Sequence, residues 1–376
     1  MRNRPNQSAK DGLNTVGHVR NASRATRIRK ALLTAAVGLG LAAAIAPAQT
    51  SAAPAAPAPT APLPALGINS HAVRETSATF NSEFQLDRAA GTTWVRIDVN
   101  WYHLQPMGPG AFEPSYTRVL DQAVAAASAN GLHVLLTVLG TPVWAQPAGG
   151  STASAPVQVS DYATVMGMLA QRYAKYPMAY EIWNEANRPA TFAGTPTTYA
   201  QMACASYRSI KAQGSATVVM GATSGTDVNW LSAVLAAGSA NCFDVISTHP
   251  YALGKTPFSL PTTFQPTSTA ASVHTLMNSY KVGNRPIWFT EFGWPASLDA
   301  TVAPFTNEVT LQEQADFTQR FLRWTADNNP YVTVAMMYTA LDIADKSTSF
   351  EGYMGMLGTD LTKKPVYARL ASLYTS

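Results

Sequence analysis

Short runs of apolar residues alternate with longer segments of mixed polarity along residues 65–376. An uninterrupted apolar run is typical of a strand that is buried on both faces of a sheet. Apolar residues at three- and four-residue spacing are typical of an amphipathic helix. The pattern predicts eight strands, over residues 65–69, 93–99, 133–139, 179–183, 217–221, 243–248, 286–290 and 333–338.

A helical segment follows each predicted strand, over residues 79–90, 115–130, 159–176, 197–213, 228–237, 270–280, 308–328 and 366–374. Gly131 stands directly after the second helix, where a terminating glycine is expected. Eight strands that alternate with helices predict the α/β class and a single (β/α)₈ barrel with parallel strands. An open doubly wound sheet is the alternative, but no glycine-rich phosphate-binding motif follows the first strand.

The first 64 residues are expected to lie outside the barrel. Arg27, Arg29 and Lys30 precede an apolar run over residues 31–46, and small residues follow at cleavage-like spacing. This order predicts a secretory signal peptide over residues 1–53, an Ala/Pro-rich linker over residues 54–64 and a barrel domain over residues 65–376. The apolar run is shorter than the roughly 20 residues of a membrane span, so we expect cleavage and secretion. An uncleaved anchor at the cell surface is the alternative.

Charge is scarce in this chain, at 13% of residues, and 47% of residues are apolar, which excludes a disordered protein. Eight of the 26 basic residues but one of the 22 acidic residues lie in residues 1–53. The remainder holds 18 basic and 21 acidic residues, a net charge of −3, so nucleic acid is not an expected partner.

Two cysteines, Cys204 and Cys242, permit one disulfide in a secreted chain, and two buried thiols are the alternative. The six histidines are scattered, and no Cys/His cluster has the spacing of metal ligands. We therefore expect neither a metal ion nor a cofactor.

Two glutamates follow apolar strands that need no charge for packing. Glu185 stands two residues after the fourth predicted strand, and Glu291 directly after the seventh. The carboxyl ends of all strands in a parallel barrel meet at one face, so both side chains are expected in one cleft. Paired carboxylates can hydrolyse a glycosidic bond when one is protonated and the other is ionised. The alternative is that each glutamate caps a helix or forms a surface ion pair.

The segments around these glutamates resemble the clan A glycoside hydrolases, and most closely the family 39-like and family 5-like cellulase and xylosidase groups. The similar segments are WNEAN at 183–187, THPY at 248–251, WFTEFGW at 288–294 and, more weakly, TPVWA at 141–145, GML at 355–357 and KPVY at 364–367. The resemblance covers about residues 66–376. Its motifs are specific for the clan but give little information about which sugar is the substrate.

The resemblance implies a role for each residue of the pair. Glu185 matches the acid/base and Glu291 the nucleophile of a retaining double displacement, with carboxyl groups about 5–5.5 Å apart. Asn184 matches the asparagine that binds the sugar 2-hydroxyl, and Tyr251 matches a tyrosine that holds the nucleophile ionised. His249 is expected either to contact sugar hydroxyls or the acid/base, or to be a satisfied core histidine.

Arg96 lies inside the second strand, and a buried arginine needs an anionic partner. The resemblance implies that it supports the nucleophile. Glu181 shares the face of Glu185 on the fourth strand, so a purely structural Arg96–Glu181 pair is the alternative. Asp98 and Asp342 are expected to be structural.

Four aromatic residues at or just after strand ends, Trp101, Trp144, Trp294 and Tyr338, are expected to stack on pyranose rings. Trp101 has a core position as its alternative. Many clan members have tryptophan where this chain has Tyr338, so the identity of the bound sugar is not predicted. The family 39 accessory β-domain has no counterpart before the chain ends, which favours an open cleft.

These features predict a secreted, retaining β-glycoside hydrolase that cleaves a β-linked polysaccharide internally and acts as a monomer on oligo- or polysaccharide. No membrane partner is expected after signal cleavage. An exo-acting β-xylosidase or β-glucosidase and a catalytically inactive carbohydrate-binding barrel are the alternatives.

Overall fold

A computed structural model describes residues 61–74, 77–251, 266–298, 308–343 and 350–375. Within them, eight parallel strands form a closed barrel in which each strand pairs with the next and the last pairs with the first. The strands are β1 Ala65–Ser70, β2 Trp94–Asn100, β3 His133–Leu139, β4 Met178–Ile182, β5 Thr217–Ser224, β6 Val245–His249, β7 Ile287–Phe292 and β8 Val332–Met337. The predicted (β/α)₈ barrel is confirmed, and the open sheet is excluded.

Helices connect the strands around the outside of the barrel. They are α1 Ser77–Ala89, α2 Trp101–Leu104, α3 Pro114–Ala129, α4 Val159–Arg172, α5 Pro196–Lys211, α6 Val228–Val234, α7 Pro266–Ser279, α8 Leu311–Asn328 and α9 Pro365–Tyr374. Each predicted helix is present with shifted ends, and the short α2 was not predicted.

Two of the shifted helix ends have a local cause in the structure. The side chain of Thr310 accepts a hydrogen bond from the Glu313 amide and forms a capping box, so α8 begins at Leu311 rather than at 308. Helix α4 ends at Arg172 rather than at 176, because Tyr173 (φ −103°, ψ 17°) already leaves helical backbone.

Two layers of different chemistry fill the barrel interior. The layer nearer the start of the strands is apolar and consists of Leu135, Ala179, Val219, Val245, Trp288, Val334 and Met336. Two residues further along, the inward positions are polar and buried, and include Asn69, Arg96, Thr137, Glu181 and Ser247. The register pairs Asn69 with Arg96 and Thr137 with Glu181. This polar layer lies directly beneath the carboxyl ends of the strands.

Cys204 in α5 and Cys242 in the segment before β6 form a disulfide, with Cα atoms 4.7 Å apart. Of the two arrangements open from the sequence, the structure has the bridge rather than two thiols. The bridge ties α5 to the connection that leads into β6.

The predicted signal peptide and residues 54–60 of the predicted linker lie outside the described residues, and both stay predictions. In the part of the chain that the structure describes, no helix combines the length and the apolar character that a membrane crossing requires.

We expect removal of the disulfide to destabilise the domain. A bridge between residues 38 apart in sequence restricts the unfolded chain, and such bridges contribute about 2–4 kcal/mol. Urea unfolding of wild type and of the Cys204→Ser/Cys242→Ser variant, followed by tryptophan fluorescence, measures the difference. Reductant should weaken wild type and leave the variant unchanged. Equal free energies of unfolding would contradict this contribution.

Candidate active site

The backbone at the end of β4 turns sharply and positions Glu185 at the mouth of the barrel. Trp183 (φ 63°) and Glu185 (φ 47°) both adopt left-handed backbone, which costs about 1–3 kcal/mol for each non-glycine residue. The Trp183 amide donates to the carbonyl of Val138 at 3.1 Å, and the Glu185 amide donates to that of Ala222 at 2.8 Å. These bonds to β3 and β5 hold the turn against its strain.

Glu291 lies in β7 and is 8% exposed. Its carboxylate accepts hydrogen bonds from the Tyr251 hydroxyl at 2.7 Å and from Arg96 Nη1 at 2.9 Å. Tyr251 follows β6 and Arg96 belongs to β2, so three elements of the barrel converge on one carboxylate. Both donors favour its ionised form and fix its orientation.

Arg96 is 1% exposed and bonds to four side chains at once. Its Nε donates to Glu181 at 2.8 Å, Nη1 donates to Asn69 at 2.7 Å as well as to Glu291, and Nη2 donates to Asn184 at 2.7 Å. The two partners that the sequence offered for Arg96 are therefore not alternatives, because the guanidinium binds both carboxylates.

Glu181 is the anion beneath the site. It is fully buried, and it accepts hydrogen bonds from Ser247 at 2.7 Å and from Thr137 at 2.8 Å in addition to Arg96. Burial by itself raises the pKa of Glu181, but the charges of Arg96 and His249 outweigh burial and lower that pKa below its usual value. Glu181 is thus a fixed negative charge that balances Arg96.

His249 lies between the two strand-end glutamates and is itself fully buried. Its Nδ1 is 3.2 Å from Glu185 Oε1 and 3.6 Å from Glu291 Oε2, and its Nε2 contacts Thr290 Oγ1 at 3.2 Å. One donor atom each of Glu185, His249 and Glu291 lies within 4.8 Å of the other two. His249 therefore contacts both strand-end glutamates, which fits one of the roles that the sequence left open for it.

The surrounding charges favour an ionised Glu185 in the free protein. Burial raises the pKa of Glu185, but His249 and Arg188 outweigh burial and bring it to about 2. For Glu291, burial has the largest effect and raises the pKa, against the charges of His249 and Arg96. Burial lowers the pKa of His249, but the two carboxylates raise it above its usual value. Groups this close titrate as one coupled system that shares its protons.

Glu185, His249 and Glu291 are, among the described residues, the group of potential metal ligands whose donor atoms converge. Arg188, Tyr251 and Arg96 already bond to the carboxylate oxygens. The carboxylates of this group therefore already have protein donors.

A cavity of about 350 Å³ opens above the two glutamates. Its volume lies at the small end of the range for ligand sites. Two larger cavities, of about 580 and 670 Å³, lie away from both glutamates, at α3 and α4 and beside the end of α9. The lining of the cavity at the glutamates consists of Asp98, Asn184, Glu185, Arg188, Thr191, Ser224, Gly225, Tyr251, Glu291, Tyr338, Glu351 and Met354.

The structure corrects the prediction of a sugar platform for two tryptophans. Trp101 is fully buried and packs edge-on against Tyr162, because α2 turns it inward directly after β2. Trp294 is 1% exposed and packs on Phe317 and Phe321 of α8. Neither ring is accessible to a sugar.

Trp144 and Tyr338 differ in their access to the cavity. Trp144 is half-buried, donates its indole N–H to the Gln105 carbonyl at 2.7 Å and is absent from the described cavity lining. Tyr338 does line the cavity, and its hydroxyl is 3.5 Å from His71 Nε2. Tyr251 and Tyr338 are the aromatic rings of the described lining.

Sequence reasoning missed several residues of the site. Arg188, three residues after Glu185, forms an ion pair with it at 2.9 Å. An arginine so close in sequence to a strand-end glutamate is the signal that could have predicted this contact. Asp98 was expected to be structural, but it lines the cavity 3.4 Å from Arg96 Nη1. Asp342 forms a buried pair with Lys364 at 2.7 Å, away from the glutamates.

A family model described as cellulase (glycosyl hydrolase family 5) matches residues 57–332, a range that contains both glutamates. No curated protein matches the chain.

Solved structures share the fold. One is a family 39 glycoside hydrolase from the gut symbiont Bacteroides cellulosilyticus WH2, with a TM-score of 0.67 and 20% identity. The match covers 83% of this chain and 64% of that one, so the chain spans less than two thirds of that protein's length. Another is GH5_18 from Streptomyces cattleya in complex with GlcNAc, with a TM-score of 0.62, 18% identity, and 84% and 80% of the two chains covered.

A third is the exo-beta-1,4-mannosidase Op5Man5 from Opitutaceae bacterium strain TAV5, with a TM-score of 0.59 and 15% identity. That match covers 84% of this chain and 60% of the mannosidase. Identities at this level show a common fold.

We expect Arg96→Met to lower the free energy of unfolding by about 3–5 kcal/mol, because it leaves the buried carboxylate of Glu181 without its cation. In wild type, the lowered pKa of Glu181 gives stability that is present at neutral pH and lost as the pH falls through the folded-state value. In the variant, burial acts without Arg96 and raises that pKa, so stability should increase from about pH 8 to about pH 5.

Urea unfolding at both pH values measures this reversal. The double variant Arg96→Met/Glu181→Met removes both charges and should recover much of the loss at neutral pH. A single variant that is as stable as wild type at both pH values would show that the pair is not needed.

Proposed function

The chain belongs to glycosyl hydrolase family 5, the cellulase family, and from this we propose that it cleaves a β-linked polysaccharide internally with retention of the anomeric configuration. The family makes it a glycosidase. The stereochemistry, the position of cleavage along the polymer and the roles of individual residues are our proposal.

The closeness of the two carboxylates is the observation that carries the proposal. One oxygen of Glu185 and one of Glu291 lie within 4.8 Å of each other. Retaining glycosidases have carboxyl groups about 5–5.5 Å apart, whereas inverting enzymes need about 6.5–9.5 Å to admit a water molecule. The separation supports direct attack by one carboxylate on the sugar.

In the proposed first step, the Glu291 carboxylate attacks the anomeric carbon while Glu185 gives its proton to the glycosidic oxygen. The bond to the leaving sugar breaks, and a glycosyl ester of Glu291 remains. Such a proton transfer contributes roughly 10²–10⁴ in rate. Tyr251 and Arg96 hold the Glu291 carboxylate in place for the attack.

In the second step, the Glu185 carboxylate takes a proton from water, and the resulting hydroxide attacks the anomeric carbon. The ester bond breaks and Glu291 leaves as a carboxylate. The side-chain oxygen of Asn184 accepts from Arg96, so its amide NH₂ is left to donate to the sugar 2-hydroxyl. A bond of this kind strengthens in the transition state.

The cavity extends on both sides of the glutamates. Asp98 and Tyr338 line it on the side of β2 and β8, and Thr191 and Ser224 line it on the side of β4 and β5. A polymer that passes through such a cleft is cut within its chain, which supports internal cleavage of a glucan, xylan, mannan or exopolysaccharide.

An exo-acting β-glycosidase is the second candidate. It is favoured by the activity that the name of one structural neighbour states, exo-β-1,4-mannosidase. Such an enzyme releases monosaccharides from a chain end and leaves the polymer long.

Secretion and a monomeric state belong to the same proposal. The Cys204–Cys242 disulfide supports an oxidising location outside the cytosol.

We expect Glu291→Ala to abolish turnover of aryl β-glycosides, and azide to restore it with formation of the α-glycosyl azide. Glu185→Ala should lose roughly 10²–10⁴ on poor leaving groups but little on dinitrophenyl leaving groups, which depart without a proton. Azide should then give the β-glycosyl azide, because it attacks the glycosyl ester. NMR of the products distinguishes the two anomers.

The matched control is Asp327→Asn, which alters an exposed carboxylate of α8 and should leave every rate unchanged. Turnover that survives Glu291→Ala without azide would remove Glu291 as the nucleophile.

Internal cleavage should reduce the viscosity of a soluble polysaccharide before many reducing ends form. Barley β-glucan, xylan and glucomannan, followed by viscometry and a reducing-end assay, measure the ratio of the two. Monosaccharide as the first product, with constant viscosity, would favour the exo-acting alternative.

A further inference from the structure

The ion pair between Arg188 and Glu185 blocks the function proposed for Glu185. Arg188 Nη1 lies 2.9 Å from Glu185 Oε2, while His249 Nδ1 lies 3.2 Å from Oε1. Both oxygens of the carboxylate are therefore occupied. A general acid must present a protonated oxygen to the leaving group. A cation 2.9 Å from Glu185 disfavours the protonated form, so the Arg188 contact has to open before the first step.

Arg188 is the partner that is free to move. His249 is fully buried, whereas the Arg188 side chain is 54% exposed and lines the cavity. The backbone beneath Arg188 is fixed, because its carbonyl accepts from the amides of Thr191 at 3.0 Å and Phe192 at 2.8 Å. The side chain can leave Glu185 while the loop stays in place.

When the guanidinium of Arg188 leaves Glu185, it can donate hydrogen bonds to the leaving sugar. A general acid lies beside the leaving group, and Arg188 approaches Glu185 through the oxygen that does not face His249. Arg188 therefore lies on the side of the leaving sugar, beside Thr191 and Ser224 in the cavity wall. A guanidinium has five N–H donors, and in the described residues one nitrogen of this group, Nη1, has a side-chain partner. Sugar hydroxyl oxygens can accept from the others.

We propose that Arg188 is a positioning residue for the acid catalyst: it holds Glu185 as a carboxylate in the free enzyme, and the leaving sugar draws it away so that Glu185 can take up the proton. The inference rests on the proposed function of Glu185. The proton moves from His249 or from solvent onto the vacated carboxylate oxygen, and then onto the glycosidic oxygen. No proton is gained or lost beyond those steps.

The charged and titratable groups around Glu185 link the position of Arg188 to the pKa of Glu185. Arg188 approaches from its own loop, His249 and Tyr251 from the end of β6, and Glu291 from β7. Burial raises the pKa of Glu185, while His249 and Arg188 lower it to about 2. Removal of one of the two cations should therefore raise that pKa.

The test compares Arg188→Ala, Arg188→Lys and wild type in the pH dependence of kcat/KM. The matched control is Arg208→Ala, which removes an exposed arginine of α5. In Arg188→Ala, the alkaline limb of the pH profile should move up by about half a pH unit, because the group that must be protonated loses a partly exposed cation. Arg188→Lys keeps the charge and should leave the alkaline limb of the pH profile at its wild-type position.

A second comparison isolates the sugar contact. The ratio of kcat/KM for an oligosaccharide to kcat/KM for its dinitrophenyl glycoside should fall about tenfold in Arg188→Ala, as expected for one lost charged hydrogen bond. The dinitrophenyl group offers no hydroxyl and needs no proton. An unmoved alkaline limb, or an equal loss on both substrates, would overturn the proposal.

A third measurement needs no turnover. Titration of carboxyl carbons in ¹³C-glutamate-labelled protein, with the Glu185 signal assigned by Glu185→Gln, should show Glu185 protonated at higher pH in Arg188→Ala than in wild type. Identical titrations would overturn the proposal even if the enzyme is active. A wild type that hydrolyses no glycoside would instead overturn the proposed function, and the titration would still decide whether Arg188 holds the carboxylate.

Discussion

The bonds of one buried guanidinium determine the arrangement of the whole site. Arg96 joins Asn69 of β1, Glu181 of β4, Asn184 beyond β4 and Glu291 of β7. A buried cation without anions is strongly unfavourable. Its two carboxylate partners are therefore required by the electrostatics of the barrel interior, one below it and one at the cleft. Glu291, the proposed nucleophile, is held by the same interaction that stabilises the polar layer.

The two arginines of the site differ in exposure, so the two glutamates have cationic partners of different mobility. Arg96 is buried and bonds to Glu291, whereas the side chain of Arg188 is 54% exposed at the cavity. In the proposed mechanism, the carboxylate that stays ionised has the buried cation as its partner, and the carboxylate that alternates between two protonation states has the exposed one. His249 contacts both carboxylates, at 3.2 Å from Glu185 and 3.6 Å from Glu291.

Periodicity and the chemistry of strand ends were enough to predict the barrel and the meeting of Glu185 with Glu291. Strands buried on both faces leave a clear apolar signal, and a parallel barrel brings the ends of β4 and β7 to one face. The resemblance to clan A glycoside hydrolases is confirmed by the family match. Trp101 and Trp294 were placed wrongly because side-chain direction after a strand depends on the turn. The short α2 turns Trp101 inward, and Gly293 lets the chain pass close to the Tyr338 carbonyl and carry Trp294 onto α8. Arg188 was missed because its contact depends on a loop conformation that has no periodic signature.

The left-handed residues at the end of β4 set a limit on how this protein can change. Trp183 and Glu185 occupy a backbone region that suits glycine, and hydrogen bonds with the neighbouring strands, with Tyr162 and with Thr191 keep them there. Relaxing this turn would release about 1–3 kcal/mol for each of the two residues and would displace the Glu185 carboxylate from the mouth of the barrel. The position of Glu185 and maximal stability of the fold are thus opposed at one short turn.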